Sequence, residues 1–416
     1  MNEATREFIR AHREDDVRRL ALAKKVADVD TTFALEQIAG WQTARRKLPT
    51  WAATEGIQYP PHLSMEQCSS EQTARYKAAL ARSLGTQQTT LVDLTGGLGV
   101  DFAFMAQGFE RAIYVERQEH LCQLARQNLP LLGVQAEVVC ADGTDYFRTL
   151  SHVGLLFLDP ARRDSHGSRT YGIGDCTPNV LQLRDELLEK ADHVMLKLSP
   201  MLDWRKAVSD LGERFVSQVH IVSVGGECKE LLVVMQRERG PEPLRIVCVN
   251  DNDVWEPGRF DRKRNAFWPK TECDLTQNGM RFDPKRETIW PKTQKPEAGL
   301  ILYEPNASVM KAGCFEELCQ DFGVCQLAPN SHLFISVHFI DDFPGRKFRI
   351  VAVSSLNKRE LKPFLQDIDK ANITTRNFPL SVAELRKRLK LKDGGEVYIF
   401  ATTTATGEHL LLRCHN

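Results

Sequence analysis

The residues best suited to chemistry are acidic side chains and glycines that follow short apolar runs. The first run, residues 90–94, reads Thr-Leu-Val-Asp-Leu and leads into Thr-Gly-Gly-Leu-Gly-Val-Asp at residues 95–101. Leu91 and Val92 suit a buried parallel strand, and the glycines permit a tight turn with close approach of a ligand to the backbone. Asp93 then lies at the carboxyl end of the strand, where open α/β sheets bind ligands, and its charge favours a cationic or hydroxyl-rich ligand.

Three more apolar runs end in the same way. The second run ends at Glu116, which lies about 20 positions after the first glycine and is placed to accept hydrogen bonds from a ribose hydroxyl pair. Residues 136–140 and 153–158 predict a third and a fourth strand, followed by Asp142 and Asp159. Four successive strand ends with a carboxylate indicate one ligand-binding edge of a parallel sheet, although a glycine turn alone often has a purely steric role.

Together these features resemble the class I S-adenosylmethionine (SAM) dependent methyltransferases, over about residues 60–238. The resemblance implies a Rossmann-like, seven-stranded α/β sheet with SAM as its cofactor. It also implies that Glu116 binds the ribose of SAM, that Asp142 contacts the adenine, and that Asp159-Pro160 lines the methyl-transfer site. A Gly-Gly-x-Gly-x-Asp spacing, in place of Gly-x-Gly-x-x-Gly, makes a dinucleotide the weaker interpretation.

The resemblance also supplies a set of candidate site residues. The candidate cofactor-binding residues are Asp93, Thr95, Gly96, Gly97, Gly99, Asp101, Glu116, Arg117, Asp142, Gly143, Asp159, Gln67, Ser70 and Thr73, and the candidate catalytic residues are Asp159 and Pro160. Gln67, Ser70 and Thr73 belong to residues 65–77, which predict a helix with Ser69 or Ser70 as its N-cap. The family often places such a segment over the methionine end of SAM. A well-capped helix without ligand contacts is the alternative.

The strand and helix pattern continues beyond the fourth strand. Helices are predicted at residues 98–107, 179–190 and 204–211, a fifth strand at 193–198, and two closing strands at 215–224 and 229–235. The closing strands are joined at Gly225-Gly226, which suits an antiparallel hairpin. The polar segment 162–177 predicts a loop beside the methyl donor that could close over a substrate.

Methyl transfer from a sulfonium is an in-line displacement, so the enzyme has chiefly to hold donor and acceptor in near-attack geometry. Amino methyltransferases use an Asn or Asp followed by Pro-Pro-aromatic to bind the target nitrogen. Here Asp159-Pro160-Ala161-Arg162 keeps the acceptor but lacks the aromatic residue, which argues against a flipped adenine or cytosine amine. Arg162 and Arg163 either meet a phosphate or pair with acids of the sheet.

Cysteine and metal chemistry find no support in the sequence. Cys140 and Cys176 are expected to be small buried residues, and no Pro-Cys pair ends the fourth strand. No motif has metal-ligand spacing, so no metal is predicted. Eleven cysteines without a secretory signal or paired Cys-x-x-Cys spacing predict reduced thiols in a cytoplasmic protein. No apolar run reaches membrane-spanning length.

The charge is zero overall but unevenly distributed. Residues 346–416 carry 14 Lys and Arg against 7 Asp and Glu, and residues 256–295 carry 10 against 6. Residues 1–84 carry 13 against 11, which leaves 18 against 31 of the 55 and 55 for the rest of the chain. A polyanion would therefore be held mainly by the parts appended to the acidic core.

The chain length predicts about three domains. Residues 1–84 are predicted to form an N-terminal helical region, residues 85–238 the methyltransferase domain, residues 239–345 a ferredoxin-like α+β unit with a proline-rich basic insert, and residues 346–416 a THUMP-like domain. The last two assignments rest on resemblance to a group of bacterial proteins. Residues 50–64 are expected to be a connector.

Two basic segments are candidate RNA-binding surfaces. Arg262-Lys263-Arg264 lies among Phe260, Phe267 and Trp268, as in single-stranded nucleic-acid surfaces, or it forms a loop anchored by aromatic residues. A basic helix at 381–391 carries Arg386, Lys387, Arg388 and Lys390 behind a capping-box spacing, Ser381 to Glu384, and is otherwise an ordinary solvated face. Further helices are expected at 307–322 and 357–371.

The sequence therefore favours a SAM-dependent methyltransferase that acts on a nitrogen of an rRNA or tRNA nucleobase. An RNA-binding protein with a non-catalytic SAM-binding fold and a small-molecule methyltransferase are the alternatives. Salt-dependent RNA binding separates the first two from the third. The sequence assigns neither the RNA, the modified atom nor the oligomeric state.

Overall fold

The computed structural model describes residues 1–23, 26–86, 89–162, 172–258, 273–274, 281–282, 289 and 295–416. The chain divides into two compact units: residues 1–224 with 229–245, and residues 225–228 with 246–416. Arg163, the rest of the predicted loop up to residue 171, and the stretch from Phe260 to Trp268 lie outside the described residues, as does the side chain of Arg162.

Short helices form the N-terminal region of the first unit. They are α1 (Glu3–His12), α2 (Val17–Leu22), α3 (Thr31–Lys47), α4 (Pro49–Ala53), α5 (His62–Gln67) and α6 (Glu71–Ser83). The expected connector at 50–64 is partly wrong, because Pro49 begins α4 and Trp51 is buried. The helix expected to open within 65–77 behind Ser69 or Ser70 is confirmed as α6, because Ser70 caps it by accepting a hydrogen bond from the Thr73 N–H, whereas the residues up to Gln67 belong to α5.

Seven strands of the first unit lie in one sheet. They are β1 (Thr90–Asp93), β2 (Arg111–Glu116), β3 (Glu137–Cys140), β4 (Val153–Leu158), β5 (Ala191–Leu198), β6 (Val216–Val224) and β7 (Glu227–Met235). Their order in the sheet is β3-β2-β1-β4-β5-β7-β6. The strands from β1 to β5 pair in parallel, and β7 runs antiparallel to β5. The predicted seven-stranded Rossmann-like core is confirmed.

Helices connect these strands and so bring the ends of the parallel strands to one edge. They are α7 (Val100–Met105), α8 (Glu119–Leu131), α9 (Gly143–Thr149), α10 (Val180–Lys190) and α11 (Trp204–Leu211). The helix α7 is shorter than expected because a 3₁₀ turn, Ala106–Gly108, replaces its last turn. After β4, the backbone of Ala161–Arg162 pairs with Cys176–Thr177, so part of the predicted loop is ordered as a short ladder.

The second unit contains a mostly antiparallel sheet. A hairpin-like pair, β8 (Arg245–Asn250) and β9 (Asp253–Trp255), precedes β10 (Ile301–Pro305), β11 (Cys325–Gln326), β12 (Phe334–Ser336), β13 (Gly345–Ser354), β14 (Asn372–Arg376), β15 (Tyr398–Thr403) and β16 (His409–His415). Its seven-stranded sheet has the order β11-β12-β10-β13-β16-β15-β14, and a separate short pair joins Cys273–Asp274 to Arg281–Phe282.

Helices of this unit are α12 (Ala307–Ala312), α13 (Phe315–Phe322), α14 (Lys358–Phe364) and α15 (Val382–Leu389). The single helix expected at 307–322 is wrong, because Gly313 adopts a left-handed φ of 66° and ends α12. The helix expected at 357–371 ends at Phe364, just after Pro363, and residues 372–376 form a strand. The capping box at Ser381 and Glu384 is confirmed by reciprocal hydrogen bonds.

Across the ranges that the structure describes, no helix is both long and apolar enough to cross a membrane.

Candidate active site

A cavity of about 360 Å³ lies at the carboxyl ends of β1 to β5 in the first unit. Most of the candidate residues line it: Gln67, Asp93, Thr95, Gly96, Gly97, Gly99, Asp101, Glu116, Arg117, Asp142, Gly143 and Asp159. The structure therefore brings together residues from five segments that are far apart in the chain. It adds lining residues that the sequence did not indicate, among them Ser69, Gln118, Thr144, Pro178 and Lys197.

The glycine turn after β1 is required by backbone geometry and by space. Gly97 and Gly99 have left-handed φ angles of 55° and 82°, which other residues rarely adopt. A Cβ added at Gly96 would lie 2.3 Å from the ring of Tyr114, so a side chain there would clash. The Tyr114 hydroxyl donates a hydrogen bond to the Gly97 carbonyl. The aromatic ring thus supports a turn whose surface remains open to the cavity.

The Glu116 side chain, at the end of β2, is hydrogen-bonded to the same turn. Its Oε2 atom accepts a hydrogen bond of 2.9 Å from the Gly97 N–H, and its Oε1 atom accepts one of 2.9 Å from the Gln118 N–H. The residue is 8% exposed. Because each carboxylate oxygen has two lone pairs, both oxygens keep the capacity to accept a further hydrogen bond from a ligand.

A chain of hydrogen bonds connects the ends of β1 and β4. The Thr95 N–H donates to Asp93 Oδ1 at 2.9 Å, and the Asp159 N–H donates to Thr95 Oγ1 at 2.7 Å. Asp93 is 2% exposed, and burial raises its pKa to about 8, with the charges of Asp101 and Asp159 acting in the same direction. The carboxyl group of Asp93 therefore holds a proton more tightly than an ordinary aspartate.

Beside this chain lies a buried ionic network. Lys197 Nζ is 2.7 Å from Asp159 Oδ2 and 3.4 Å from Asp101 Oδ2. Lys77, which is fully buried, contacts Asp101 Oδ1 at 3.2 Å and also pairs with Glu230. The network thus joins two lysines to three carboxylates, and it ends at Asp159 on the cavity wall.

The electrostatics of the network keep Lys197 charged. Burial alone would lower the pKa of Lys197, but Asp101 and Asp159 raise it further than burial lowers it. Burial likewise opposes ionisation of Asp101, and the two lysines outweigh it, so the pKa of Asp101 is lowered. Glu230 behaves oppositely, because burial raises its pKa more than Lys77 lowers it. Asp159, whose side chain is 43% exposed, is therefore held by a cation and open to the cavity.

Three candidate residues do not line the cavity. Ser70 caps α6, and the buried Thr73 hydroxyl donates to the Ser70 carbonyl at 3.1 Å. The neighbouring Ser69 lines the cavity instead, and its hydroxyl donates to Asp101 Oδ2 at 2.7 Å. Pro160 is buried outside the lining. The helix-capping alternative therefore describes Ser70, whereas the site contact belongs to the residue before it.

Some of the candidates that line the cavity also cap a helix or are exposed to solvent. Asp142 is exposed and caps α9, since its Oδ1 atom accepts hydrogen bonds from Thr144 and Asp145 N–H groups at 2.8 and 3.3 Å. Arg117 is exposed. A Cβ at Gly143 would lie 2.1 Å from the Leu94 carbonyl oxygen, so only glycine fits there. Of the two cysteines expected to be buried, Cys176 is buried, but Cys140 is exposed.

The chain is similar to known protein families and structures. Residues 345–416 match a family described as THUMP domain-like, and residues 302–344 match one described as a ferredoxin-like domain. A crystal structure from Porphyromonas gingivalis W83, described as a putative methyltransferase, is 31% identical, with a TM-score of 0.79 over 99% of this chain and 97% of that one. The chain belongs to this methyltransferase family. The methyltransferase is also 23% identical over 348 residues to an uncharacterised SAM-dependent methyltransferase of Mycobacterium tuberculosis, covering 83% of this chain and 84% of the relative.

These similarities confirm the predicted class of enzyme and its cofactor. The protein is a SAM-dependent methyltransferase with ferredoxin-like and THUMP-like segments after its Rossmann-like core. Its site combines a glycine turn, a carboxylate at each of four strand ends and a lysine-bound aspartate, all within one cavity. Such an arrangement has the polar groups needed to bind and orient a donor and an acceptor, which is the main requirement of a methyl transfer.

Proposed function

We propose that this methyltransferase transfers the methyl group of SAM to a nitrogen of an RNA nucleobase, in rRNA or tRNA. The observation that carries the proposal is the match of residues 345–416 to the THUMP domain-like family, appended to a SAM-dependent core. We also propose the domain organisation 1–84, 85–238, 239–345 and 346–416, in which the last two domains hold the RNA.

The cavity residues fit SAM chemically. The two free lone-pair positions of the Glu116 carboxylate match a ribose diol, and the glycines of the turn offer backbone without a side chain. The carboxyl group of Asp93 can accept a hydrogen bond from the ammonium of the methionine end, and Asp142, which lines the cavity, is the proposed contact of the adenine. Two further polar residues line the cavity: Gln67, at the end of α5, and Ser69, in the turn that follows this helix.

Asp159 is the proposed acceptor for a hydrogen bond from the target nitrogen. Lys197 holds one of its oxygens, Oδ2, and the exposed remainder of the carboxylate faces the cavity. SAM supplies the transferable methyl group when bound. The residues of this chain then orient the acceptor in line with it, and the carboxylate is placed to take up the proton that the nitrogen releases.

The basic helix α15 is the proposed RNA contact. Lys387, Arg388 and Lys390 are exposed, whereas Arg386 is engaged with Asp393 at 2.7 Å and with the Ala371 carbonyl at 3.2 Å. Exposed cations in one short helix favour a phosphate backbone, because the released counterions drive association. The three exposed cations are therefore better candidates than Arg386.

The decisive experiment compares the modified nucleosides of rRNA and tRNA from a deletion strain and its parent by mass spectrometry. We expect one N-methylated nucleoside to be missing in the deletion strain and restored by the wild-type gene, but not by an Asp159→Ala variant. Purified enzyme should then methylate RNA from the deletion strain and not RNA from the parent. Unchanged nucleosides in both RNA classes would contradict the RNA substrate and favour a small-molecule acceptor.

A further inference from the structure

Three potential metal ligands converge outside the lining of the SAM cavity. Glu119, Cys122 and Cys140 each offer one donor atom, and these atoms all lie within 4.8 Å of one another. Glu119 and Cys122 are one helical turn apart at the start of α8, and Cys140 ends the neighbouring strand β3. The sequence concealed this cluster because its third member is 18 positions from the second and comes from another element.

Both thiols contact the backbone between the end of β2 and the start of α8. Cys140 Sγ lies 3.9 Å from the Arg117 carbonyl oxygen. Cys122 Sγ also lies 3.1 Å from the Glu116 carbonyl oxygen. Glu119 and Cys140 are exposed and Cys122 is buried, so an ion can enter from solvent and meet a ligand anchored in the core.

The chemistry of this donor set selects a borderline or soft divalent cation. Thiolates bind Zn²⁺ at about 2.3 Å and carboxylates at about 2.1 Å, so two ligands of one tetrahedral ion are separated by roughly 3.5–4 Å. The observed cluster therefore needs to contract by only about 1 Å. Hard cations such as Mg²⁺ and Ca²⁺ prefer oxygen ligands and are disfavoured by the two sulfur atoms.

The charge around the cluster also suits a divalent ion. Two thiolates and one carboxylate carry three negative charges, which a divalent cation reduces to one. Arg126 Nη1 lies 3.2 Å from Glu119 Oε1 and neutralises the charge that is left, and Gln123 Nε2 donates to the same oxygen at 3.3 Å. Such outer contacts orient a ligating carboxylate and support affinity. The ion would replace the two thiol protons, which pass to solvent.

We propose that Glu119, Cys122 and Cys140 form a binding site for Zn²⁺ or a similar thiophilic divalent cation. The fourth ligand is a water molecule, because the cluster is open to solvent on the side of Glu119 and Cys140. Glu119 and Cys122 belong to α8 and Cys140 to β3, so the ion would cross-link the start of that helix to the end of that strand. The site is structural in position, and binding should stabilise the folded protein.

The test uses the full chain, reduced, treated with a chelator and titrated with Co²⁺ under anaerobic conditions. We expect one equivalent to bind with the thiolate-to-cobalt charge-transfer absorption and the visible bands of a tetrahedral ion. Cys140→Ser, which leaves only the Cys122 thiolate, should lower the charge-transfer absorption by about half or more, and Glu119→Gln should weaken Co²⁺ binding by about tenfold or more. Cys228→Ser, at a half-buried cysteine outside the cluster, is the matched control and should behave as wild type.

Both test positions are exposed, so the variants should fold, which the melting temperature of the metal-free proteins establishes. Excess Zn²⁺ should displace Co²⁺ and raise the melting temperature of wild type but not of Cys140→Ser. Absence of the charge-transfer absorption in wild type, or an undiminished absorption in folded Cys140→Ser, would overturn the site. A Cys122–Cys140 disulfide in protein whose thiols were blocked at lysis would also overturn it and assign the pair a redox role.

Discussion

Lys197 Nζ lies 2.7 Å from Asp159 Oδ2, across the carboxyl ends of two neighbouring parallel strands, β4 and β5. The lysine is largely buried and the aspartate is half-exposed in the cavity. The contact therefore holds the carboxylate in place and leaves part of it open to the cavity. Lys197 is also shared with Asp101, which itself meets Lys77. The proposed acceptor thus depends on a network that extends into the core.

Replacing Lys197 should impair both stability and turnover. Lys197→Met removes a positive charge that balances the negative charges of Asp101 and Asp159. Removing one partner of a buried ion pair typically lowers the free energy of unfolding by about 3–5 kcal/mol. Because Asp159 is partly exposed, we expect the lower end, about 3 kcal/mol, from urea unfolding. Lys206→Met, which removes an exposed helical pair with Asp210, is the control and should cost about 0.5 kcal/mol or less. Equal effects of the two substitutions would contradict the network.

Asp159 should matter more for turnover than for SAM binding. Asp159→Ala removes the proposed hydrogen-bond acceptor while the Thr95 hydroxyl still accepts the backbone N–H of residue 159. We expect single-turnover methylation to fall by about 100-fold, within the range of general acid–base contributions, with SAM affinity changed about threefold or less. Calorimetry with SAM and rapid-quench kinetics measure the two effects. If SAM affinity falls as much as the rate in a folded variant, Asp159 has a donor-binding role instead.

Glu116 is predicted to serve the fold and the cofactor together. Glu116→Gln is not conservative here, because both carboxylate oxygens accept backbone N–H groups and the amide NH₂ would face one of them. The lost bond should cost about 1–3 kcal/mol of stability, and a lost charged hydrogen bond to the ribose should weaken SAM binding by about one to two decades. Glu137→Gln, at an exposed pair with Arg111, is the control. Wild-type SAM affinity in folded Glu116→Gln would reject the ribose role.

The positions of the carboxylates were predictable from the sequence. Asp93, Glu116, Asp142 and Asp159 each end or follow an apolar run, and parallel strands joined by helices necessarily place such ends at one edge. Lys197 was not identified, although a lysine inside an apolar strand is itself a signal of a buried partner.

The ionic network and the smaller elements could not be predicted in the same way. Lys77 meets Glu230 across 153 positions of sequence, and no local pattern reports a contact of that range. The strand β14 was not predicted, because its formation depends on parallel pairing with β15, which lies more than 20 residues downstream. The helix end at Gly313, by contrast, could have been predicted from the sequence, because glycine is a common C-cap. The prediction of one helix over 307–322 did not take this glycine into account.

The basic helix α15 should contribute to the salt dependence of RNA binding. A full-length variant is preferable to deletion of residues 346–416, because the deletion removes four strands of the second sheet. Lys387→Ala with Arg388→Ala should reduce the slope of log K against log salt by roughly 1.5, as expected for two lost phosphate contacts. Arg18→Ala with Arg19→Ala on α2 is the matched control. An unchanged slope in the α15 variant would place the RNA elsewhere.

Asp93 should make the stability of the protein depend on pH. Burial raises the pKa of Asp93 to about 8 in the folded protein, against about 3.9 in an unfolded chain. The folded state therefore binds more protons than the unfolded state between these values. Its stabilising contribution is complete below about pH 4 and is lost as pH rises to about 8, by at most about 1.4 kcal/mol per pH unit.

Asp93→Asn isolates this contribution, because the amide is neutral at every pH and its oxygen still accepts the Thr95 N–H. Urea unfolding of both proteins from pH 5 to pH 8 gives the comparison. The free energy of unfolding of wild type should fall relative to that of the variant as pH rises, since only in wild type does unfolding release a proton from this position. Parallel pH profiles would show that Asp93 is already ionised at pH 5, and its charge would then be compensated by groups around it.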